Sequence, residues 1–307
     1  MEPLVTVNIL SYNRKDDLRN TLTKMYEQDY KNIEVIVVDN NSTDGTREMV
    51  RREFPAVHLI ELDKNIGIAG WNEGFKAAKG EYVLVLDDDS YPKKKTIAQG
   101  VEILQKDKNV GVVALSIRNI TLNEHETRKF KLNSITFIGC GAILRKSMLD
   151  LVGYYDDLYF LYHNELDLSI RCLHFGYTIR YLPTAIIIHN QSKYSRGEDT
   201  NHPLISRSRY YHYFISYSIF IFKYFDLPRA IYFELKWIAN RFLVAVFYPY
   251  KTLFVKALLQ VLFLLPQIFR NKIKIDSRIV KQYYIFFHLI DARYFPKLSS
   301  LVTKFRR

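Results

Sequence analysis

Two cysteines in 307 residues, Cys140 and Cys172, are too few for a disulfide framework and too far apart for a CxxC metal knuckle, which points to a reducing compartment. Glycine (12) and proline (9) are sparse, and no repeat or low-complexity tract is present, which excludes collagen-like and disordered chains. The stretch MEPLVTVNIL lacks a basic segment leading into a long apolar one, so no signal peptide is expected. Acid is scarce in one region only. Residues 201–307 hold 4 Asp and Glu against 18 Lys and Arg, whereas residues 1–200 hold 28 against 26. The same last 107 residues carry 26 of the 45 aromatic side chains.

The longest uncharged runs of this basic tail, Tyr210–Phe222 and Ala257–Phe269, are 13 residues each, short of the roughly 20 that span a bilayer. Lys223, Lys236, Arg241, Lys251, Lys256 and Arg270 punctuate the apolar stretches. Helices with aromatics on one face and Lys/Arg on the other suit the headgroup layer of an anionic membrane. The same composition also suits a helical subdomain with its aromatics inside. No nucleic-acid motif accompanies the charge, so nucleic acid is not an expected partner.

What is present in the first half is an alternation of strands and helices. Val5–Leu10, Glu34–Asp39, Val57–Leu62, Tyr82–Leu86 and Val110–Leu115 read as strands, the longer ones apolar runs. Asp16–Gln28, Thr46–Glu53, Ala69–Lys79 and Lys93–Gln105 read as helices between them. Apolar strands between helices predict an α/β fold with a mostly parallel sheet covered on both faces. Farther on, Phe137–Leu144 carries two glycines, Glu165–Phe175 reads as a helix and Ala185–His189 as a last strand. Residues 118–134 look loop-like and Gln191–His202 like a polar linker, dividing the chain into regions 1–202 and 203–307. The second is expected to be helical, with breaks at Pro228, Pro249 and Pro266.

Ligands of such sheets bind beyond the carboxyl ends of the strands, where Asp39 and Asp87-Asp88-Asp89 fall. Three adjacent carboxylates repel one another unless solvated or neutralised. They suit either an exposed acidic turn or a hard divalent cation, which takes oxygen ligands and bridges them to phosphates. Asp39 can accept hydrogen bonds from a base or ribose, because Ser42, Thr43 or Asp44 is better placed to cap the following helix. In Asn65-Ile-Gly-Ile-Ala-Gly-Trp-Asn-Glu-Gly74 small residues would let backbone amides approach a diphosphate. This is not a GxGxxG pattern, which disfavours a nicotinamide dehydrogenase.

The ordered set VTVNILSYNR, VVDNNSTDGT, NIGIAGWNEGF and YVLVLDDDS resembles the family 2 inverting glycosyltransferases of GT-A fold, such as bacterial rhamnosyl- and galactofuranosyltransferases. Downstream, Gly139–Arg145 resembles the small-residue lining of the sugar pocket, and Gly153-Tyr-Tyr-Asp156 the GxFD element. Phe160–Arg171 resembles the FxxxEDxDLxxR segment. The chain departs from the family at Asn164-Glu165, where the family usually has Glu-Asp. The resemblance implies that Tyr12 packs near the base, Asp39 bonds the uracil- or thymine-type ring, and Asp88 contacts the ribose. It adds Asn13, Asn65, Gly67, Asn72 and Asp87 to the donor-binding set. Asp87, Asp89 and His189 would hold Mn²⁺ or Mg²⁺, and Glu165 or Asp167 would be the catalytic base. The activity implied is metal-dependent, inverting transfer from a UDP- or dTDP-sugar to a glycan or lipid-linked glycan, on the cytoplasmic face of the membrane. The alternatives are a non-catalytic nucleotide-sugar-binding scaffold and a nucleotidyltransferase, the latter disfavoured because Ser11-Tyr-Asn-Arg14 is no glycine-rich phosphate loop.

Overall fold

The computed structural model describes residues 2–127, 133–190 and 207–294, with backbone alone at 133 and 288–294. The chain divides into two compact units, Met1–Ser206 and Arg207–Arg307. The expected linker Gln191–His202 and the boundary at 202/203 lie outside the described residues.

The first unit runs β1 (Val5–Ser11), α1 (Lys15–Tyr26), β2 (Ile33–Asp39), α2 (Thr46–Glu53), β3 (His58–Glu61), a 3-10 turn at Gly67–Gly70, α3 (Trp71–Ala77) and β4 (Tyr82–Asp87). It continues with β5 (Ser90–Pro92), α4 (Thr96–Lys106), β6 (Val110–Asn119), β7 (Glu124–His125), β8 (Asn133–Ser134) and β9 (Ala142–Arg145). Helices α5 (Lys146–Val152) and α6 (Asn164–His174) and the strand β10 (Thr178–His189) complete it. The sheet order is β3-β2-β1-β4-β9-β6-β10-β5. Its first four strands are parallel, as their apolar runs predict. Beyond β4 the sheet is mixed: β9 is antiparallel to both neighbours, β6 and β10 are parallel, and β5 returns antiparallel.

Alternation along β1 assigns the helices to the two faces. Val5, Val7 and Ile9 pack with Leu18, Leu22 and Met25 of α1 and Ile97, Val101 and Leu104 of α4. Asn8 points the other way, where its amide donates to the Trp71 carbonyl at the start of α3 (2.9 Å). Strand order reverses between β1 and β4, so the crevice beyond their carboxyl ends is where this topology offers a ligand site. Leu10 pairs with Asp87 and Ser11 with Asp39, which brings those strand ends to one level.

The second unit holds α7 (Arg207–Tyr224), α8 (Leu227–Phe247), α9 (Lys251–Arg270) and α10 (Ser277–Tyr294). Its aromatics form a core: Tyr217 stacks on Trp237 (4.2 Å between centroids) and Phe220 on Phe287 (5.1 Å). Two of the expected breaks are met, with Pro228 in the first turn of α8, capped by Asp226, and Pro249 between α8 and α9. Pro266 does not break α9, a correction to the expectation. The carbonyl it leaves without a donor belongs to Leu262, an exposed residue, so the lost hydrogen bond is not buried. At 20 residues, α9 is also long and apolar enough to cross a membrane, which the 13-residue run alone did not suggest.

Candidate active site

The tight turn joining β4 to β5 sends the three aspartates in different directions. Asp88 turns inward: its Oδ2 accepts from the Ser11 hydroxyl (3.0 Å) and the Tyr12 amide (3.4 Å), and Arg14 reaches its Oδ1 (3.2 Å). The Asp88 oxygens thus serve the β1 end in this structure. Arg14 also pairs with Asp89 Oδ2, supplying the cation that three adjacent carboxylates require. Burial works to raise Asp89, but His189 and Arg14 together hold its carboxyl below the usual range. Asp88 is raised by burial and by its two acidic neighbours despite Arg14.

His189 arrives from the far end of the chain because β10 pairs antiparallel with β5, opposing His189 to Ser90, while the Asn190 amide donates to the Asp89 carbonyl (2.8 Å). Its Nε2 lies 3.2 Å from Asp89 Oδ1. Both atoms are buried, and they face each other as an ion pair. One ligand atom each from Asp87, Asp89 and His189 lies within 4.8 Å of the other two. On its other side His189 Nδ1 meets Glu126 Oε1 at 2.7 Å. Burial depresses the imidazole, yet Asp89 and Glu126 outweigh it and raise its pKa to about 10.

Glu165 stands in the first turn of α6, with Oε1 accepting the Gly139 amide (3.1 Å). A Cβ at position 139 would sit 2.8 Å from that oxygen, so the small residue makes room for the carboxylate. Burial, with the charge of Asp87 adding to it, pushes the Glu165 pKa up to about 7 against the hydrogen bond from Gly139. Asp167, the other acid expected as a possible base, is engaged in an ion pair with Arg171. It is fully buried and its Oδ2 takes two bonds from Arg171 (3.0 and 2.8 Å). Arg171 in turn ties down the carbonyls of Val152, Gly153 and Tyr154. Two residues on from Glu165 along a helix is another face, so the two acids face different surroundings.

The residues expected on the donor side have partners within the protein. Asn72 is a structural bracket: its amide donates to the Tyr155 carbonyl (2.9 Å) and Asp157 (3.1 Å), and its oxygen accepts the Tyr155 amide (3.0 Å). Gly67, at φ +65°, has the Phe160 carbonyl oxygen 2.1 Å from where a Cβ would be, and its amide is taken by Asn65 (2.8 Å). Small size there admits the segment leading to Glu165. Asn13 holds the β1 end to the β2 end, its amide donating to Ser42 and its oxygen accepting from Thr43 (2.7 Å). Asp39 is not idle, since Oδ2 accepts from Arg47 and from the Ser42 amide (3.0 Å); only Oδ1 is left without a hydrogen bond. Tyr12 is 45% exposed above this strand end.

The description "Glycosyl transferase family 2" matches residues 6–165, more than half of the chain and including Asp39, the acidic triplet and Glu165. The chain belongs to glycosyl transferase family 2. Over 108 residues it is 34% identical to the UDP-Glc:alpha-D-GlcNAc-diphosphoundecaprenol beta-1,3-glucosyltransferase WfaP of Escherichia coli, covering 34% of this chain and 43% of the relative. It is 29% identical over 198 residues to the poly-beta-1,6-N-acetyl-D-glucosamine synthase of Staphylococcus epidermidis, covering 57% and 47%. The chain thus matches less than half the length of these curated relatives. A mannosyltransferase from Pyrobaculum calidifontis, solved with GDP-Man and Mn²⁺, shares the GT-A fold at a TM-score of 0.58 and 22% identity, covering 85% of this chain and 88% of that one.

In this family 2 transferase the residues fit a divalent cation. Two carboxylates and an imidazole converge, their ligand atoms all within 4.8 Å of one another, a donor set that suits such an ion. Sequence reasoning missed three parts of the site. Arg14 sits inside the quoted SYNR segment, Glu126 lies in a stretch read as loop, and Cys140 packs against Glu126 and His189.

Proposed function

We propose that the chain is an inverting, metal-dependent glycosyltransferase that moves a sugar from a UDP- or dTDP-sugar to a hydroxyl of a glycan or lipid-linked glycan in cell-surface polysaccharide synthesis. The observation that carries this reading is the convergence of Asp87, Asp89 and His189 into a three-donor cation site beside the segment that holds Glu165. Gly139 donates its amide to Glu165, and the next residue, Cys140, lies within 4.8 Å of the His189 donor atom. A cation bound there would neutralise the leaving diphosphate as a Lewis acid. Glu165 takes the acceptor's hydroxyl proton as that oxygen bonds the anomeric carbon and the bond from that carbon to the diphosphate oxygen breaks. A single displacement reverses the anomeric configuration. Gly139 aims the base, and the Asp167–Arg171 pair fixes the start of α6. Thermal-shift titration with UDP-, dTDP- and GDP-sugars, with and without Mn²⁺, followed by NMR of the product anomer, tests the reading. Metal-dependent stabilisation by one donor and an inverted product are expected. A retained configuration overturns it.

The second unit is proposed to hold the enzyme at an anionic membrane surface. Helix α9 buries only Ala257, Val261 and Ile268, and it exposes Val255, Leu259, Leu262 and Phe263, the last at 79%. On α8, Leu235 (63%), Phe242 and Val246 are exposed as well. Lys251, Lys256 and Arg270 accompany this apolar surface, the arrangement that inserts shallowly among anionic headgroups. Replacing Leu262 and Phe263 together with Glu should cost about 3 kcal/mol of partitioning, roughly a hundredfold, in co-sedimentation with phosphatidylglycerol vesicles. Unchanged binding of the double variant would remove these residues from the contact.

A further inference from the structure

We propose that Glu126 is the positioning residue of His189, holding the imidazole so that Nε2 presents its lone pair to the cation site. This rests on the metal reading above, and concerns a residue that lies outside the acidic triplet and its flanking segments.

The argument begins with the ring. A neutral imidazole carries one proton, and the partner of one nitrogen decides which nitrogen keeps it. A carboxylate only accepts, so Glu126 Oε1 at 2.7 Å from Nδ1 keeps the proton on Nδ1. In the neutral ring Nε2 is then the acceptor, and it is the nitrogen that faces Asp89 Oδ1 at 3.2 Å, where a bound cation would take the place of a proton. Were the tautomer reversed, an N–H would point at the place where a cation must sit. Metal-binding histidines commonly need such a carboxylate behind them.

Glu126 is itself held in place. Asn119 Nδ2 donates to Oε1 (3.0 Å), and the Glu126 amide donates to the Ile117 carbonyl (3.1 Å). The same β6–β7 connection secures the His189 backbone, whose carbonyl accepts from the Ile120 amide (3.1 Å). Asn119 pairs with His189 in the sheet and with Glu124 in the hairpin, so the register of β6 places both ends of the contact. Cys140 closes the remaining side, its sulfur within 4.8 Å of the Glu126 and His189 donor atoms.

The test is Mn²⁺ binding to the full chain, read by electron paramagnetic resonance with no sugar or nucleotide present. Glu126→Ala should weaken Mn²⁺ about 10–100-fold, the range for losing such an outer partner. Glu126→Gln keeps an oxygen that accepts from Nδ1–H and should recover most of the loss. In a His189→Ala background Glu126→Ala should cost nothing further, because its effect passes through the ring. Glu124→Ala, in the same hairpin, should bind as the wild type does. The role of Glu126 alone is overturned if the wild type binds Mn²⁺ and Glu126→Ala binds it equally well, or if its loss persists without His189. Equal losses in the Gln and Ala variants would make Glu126 a direct ligand and overturn positioning. Absence of Mn²⁺ binding in the wild type would overturn the metal reading, and this one with it.

Discussion

Glu165→Gln should lower turnover by about 10²–10⁴-fold, the span of a positioned general base, while the donor's KM stays within about threefold. Glutamine has the shape of glutamate and its oxygen can still accept the Gly139 amide, so the 139–141 segment has no reason to move. What is lost is the ability to take a proton. In the wild type the carboxyl must be ionised to act, and burial, with the charge of Asp87 adding to it, pushes its pKa up to about 7. Turnover should therefore rise with pH through about 7 and level off above, and the variant's residual rate should lack that rise. The same shift affects stability. Below about 4.5 the group is protonated folded or unfolded and contributes nothing. As pH rises toward 7 the unfolded chain ionises more readily, so the folded state loses on the order of 1–3 kcal/mol, fully above 7. Glu165→Gln should melt higher than the wild type at pH 8 and equally at pH 4, a stability gained at the cost of function. Asp167→Asn should behave oppositely, reducing folded yield by breaking a buried pair with Arg171. Near wild-type turnover in Glu165→Gln, with activity lost in a well-folded Asp167→Asn, would exchange the two roles.

Legibility followed how local the causes were. The strands of β1, β2 and β4 could be read because VTVNIL, EVIVVD and YVLVL are buried apolar runs, and Asp39 and Asp87 stand at their ends for the same reason. Strand β10 was read only from Ala185, although it begins at Thr178. Pro183 and Thr184 interrupt the pattern where the register against β6 slips between Leu182 and Ile186. The antiparallel insertion of β9 was invisible, since strand direction is decided by distant partners. Distant partners shape the site too. Gly67 is small because Phe160 lies against it, and Asn72 is an amide because the 155–157 backbone needs bonding; neither neighbour is close in sequence. Asp88 and Asp89 are adjacent and chemically identical, and only the turn between β4 and β5 tells them apart. Glu126 had no signal at all, being one acid in a polar stretch until β10 brings His189 beside it.

Asp89→Asn should reduce kcat/KM by about 10²–10⁴-fold, because a cation clamping a departing diphosphate contributes several kcal/mol. The substitution keeps the side chain's size, and Arg14 keeps its contact with Asp88, so a folded protein with an ordinary melting temperature is expected. Charge is the decisive change. Asp89 Oδ1, buried and facing His189 Nε2, is stable as an anion only with a positive partner, and asparagine removes both the anion and the reason for one. Chelation then provides an independent route to the same state. Wild-type enzyme treated with EDTA should fall to the residual rate of Asp89→Asn, which EDTA should not lower further. Added Mn²⁺ should restore the wild type and not the variant. The donor set also ranks the metals. An imidazole among carboxylates favours Mn²⁺ over Mg²⁺, which prefers oxygen and sheds water reluctantly, so Mn²⁺ should restore activity at a lower concentration. Activity unchanged by EDTA, with less than about a tenfold loss in Asp89→Asn, would leave Arg14 and protonated His189 as the only cations that Asp89 needs, and transfer would have to proceed without a metal at this site.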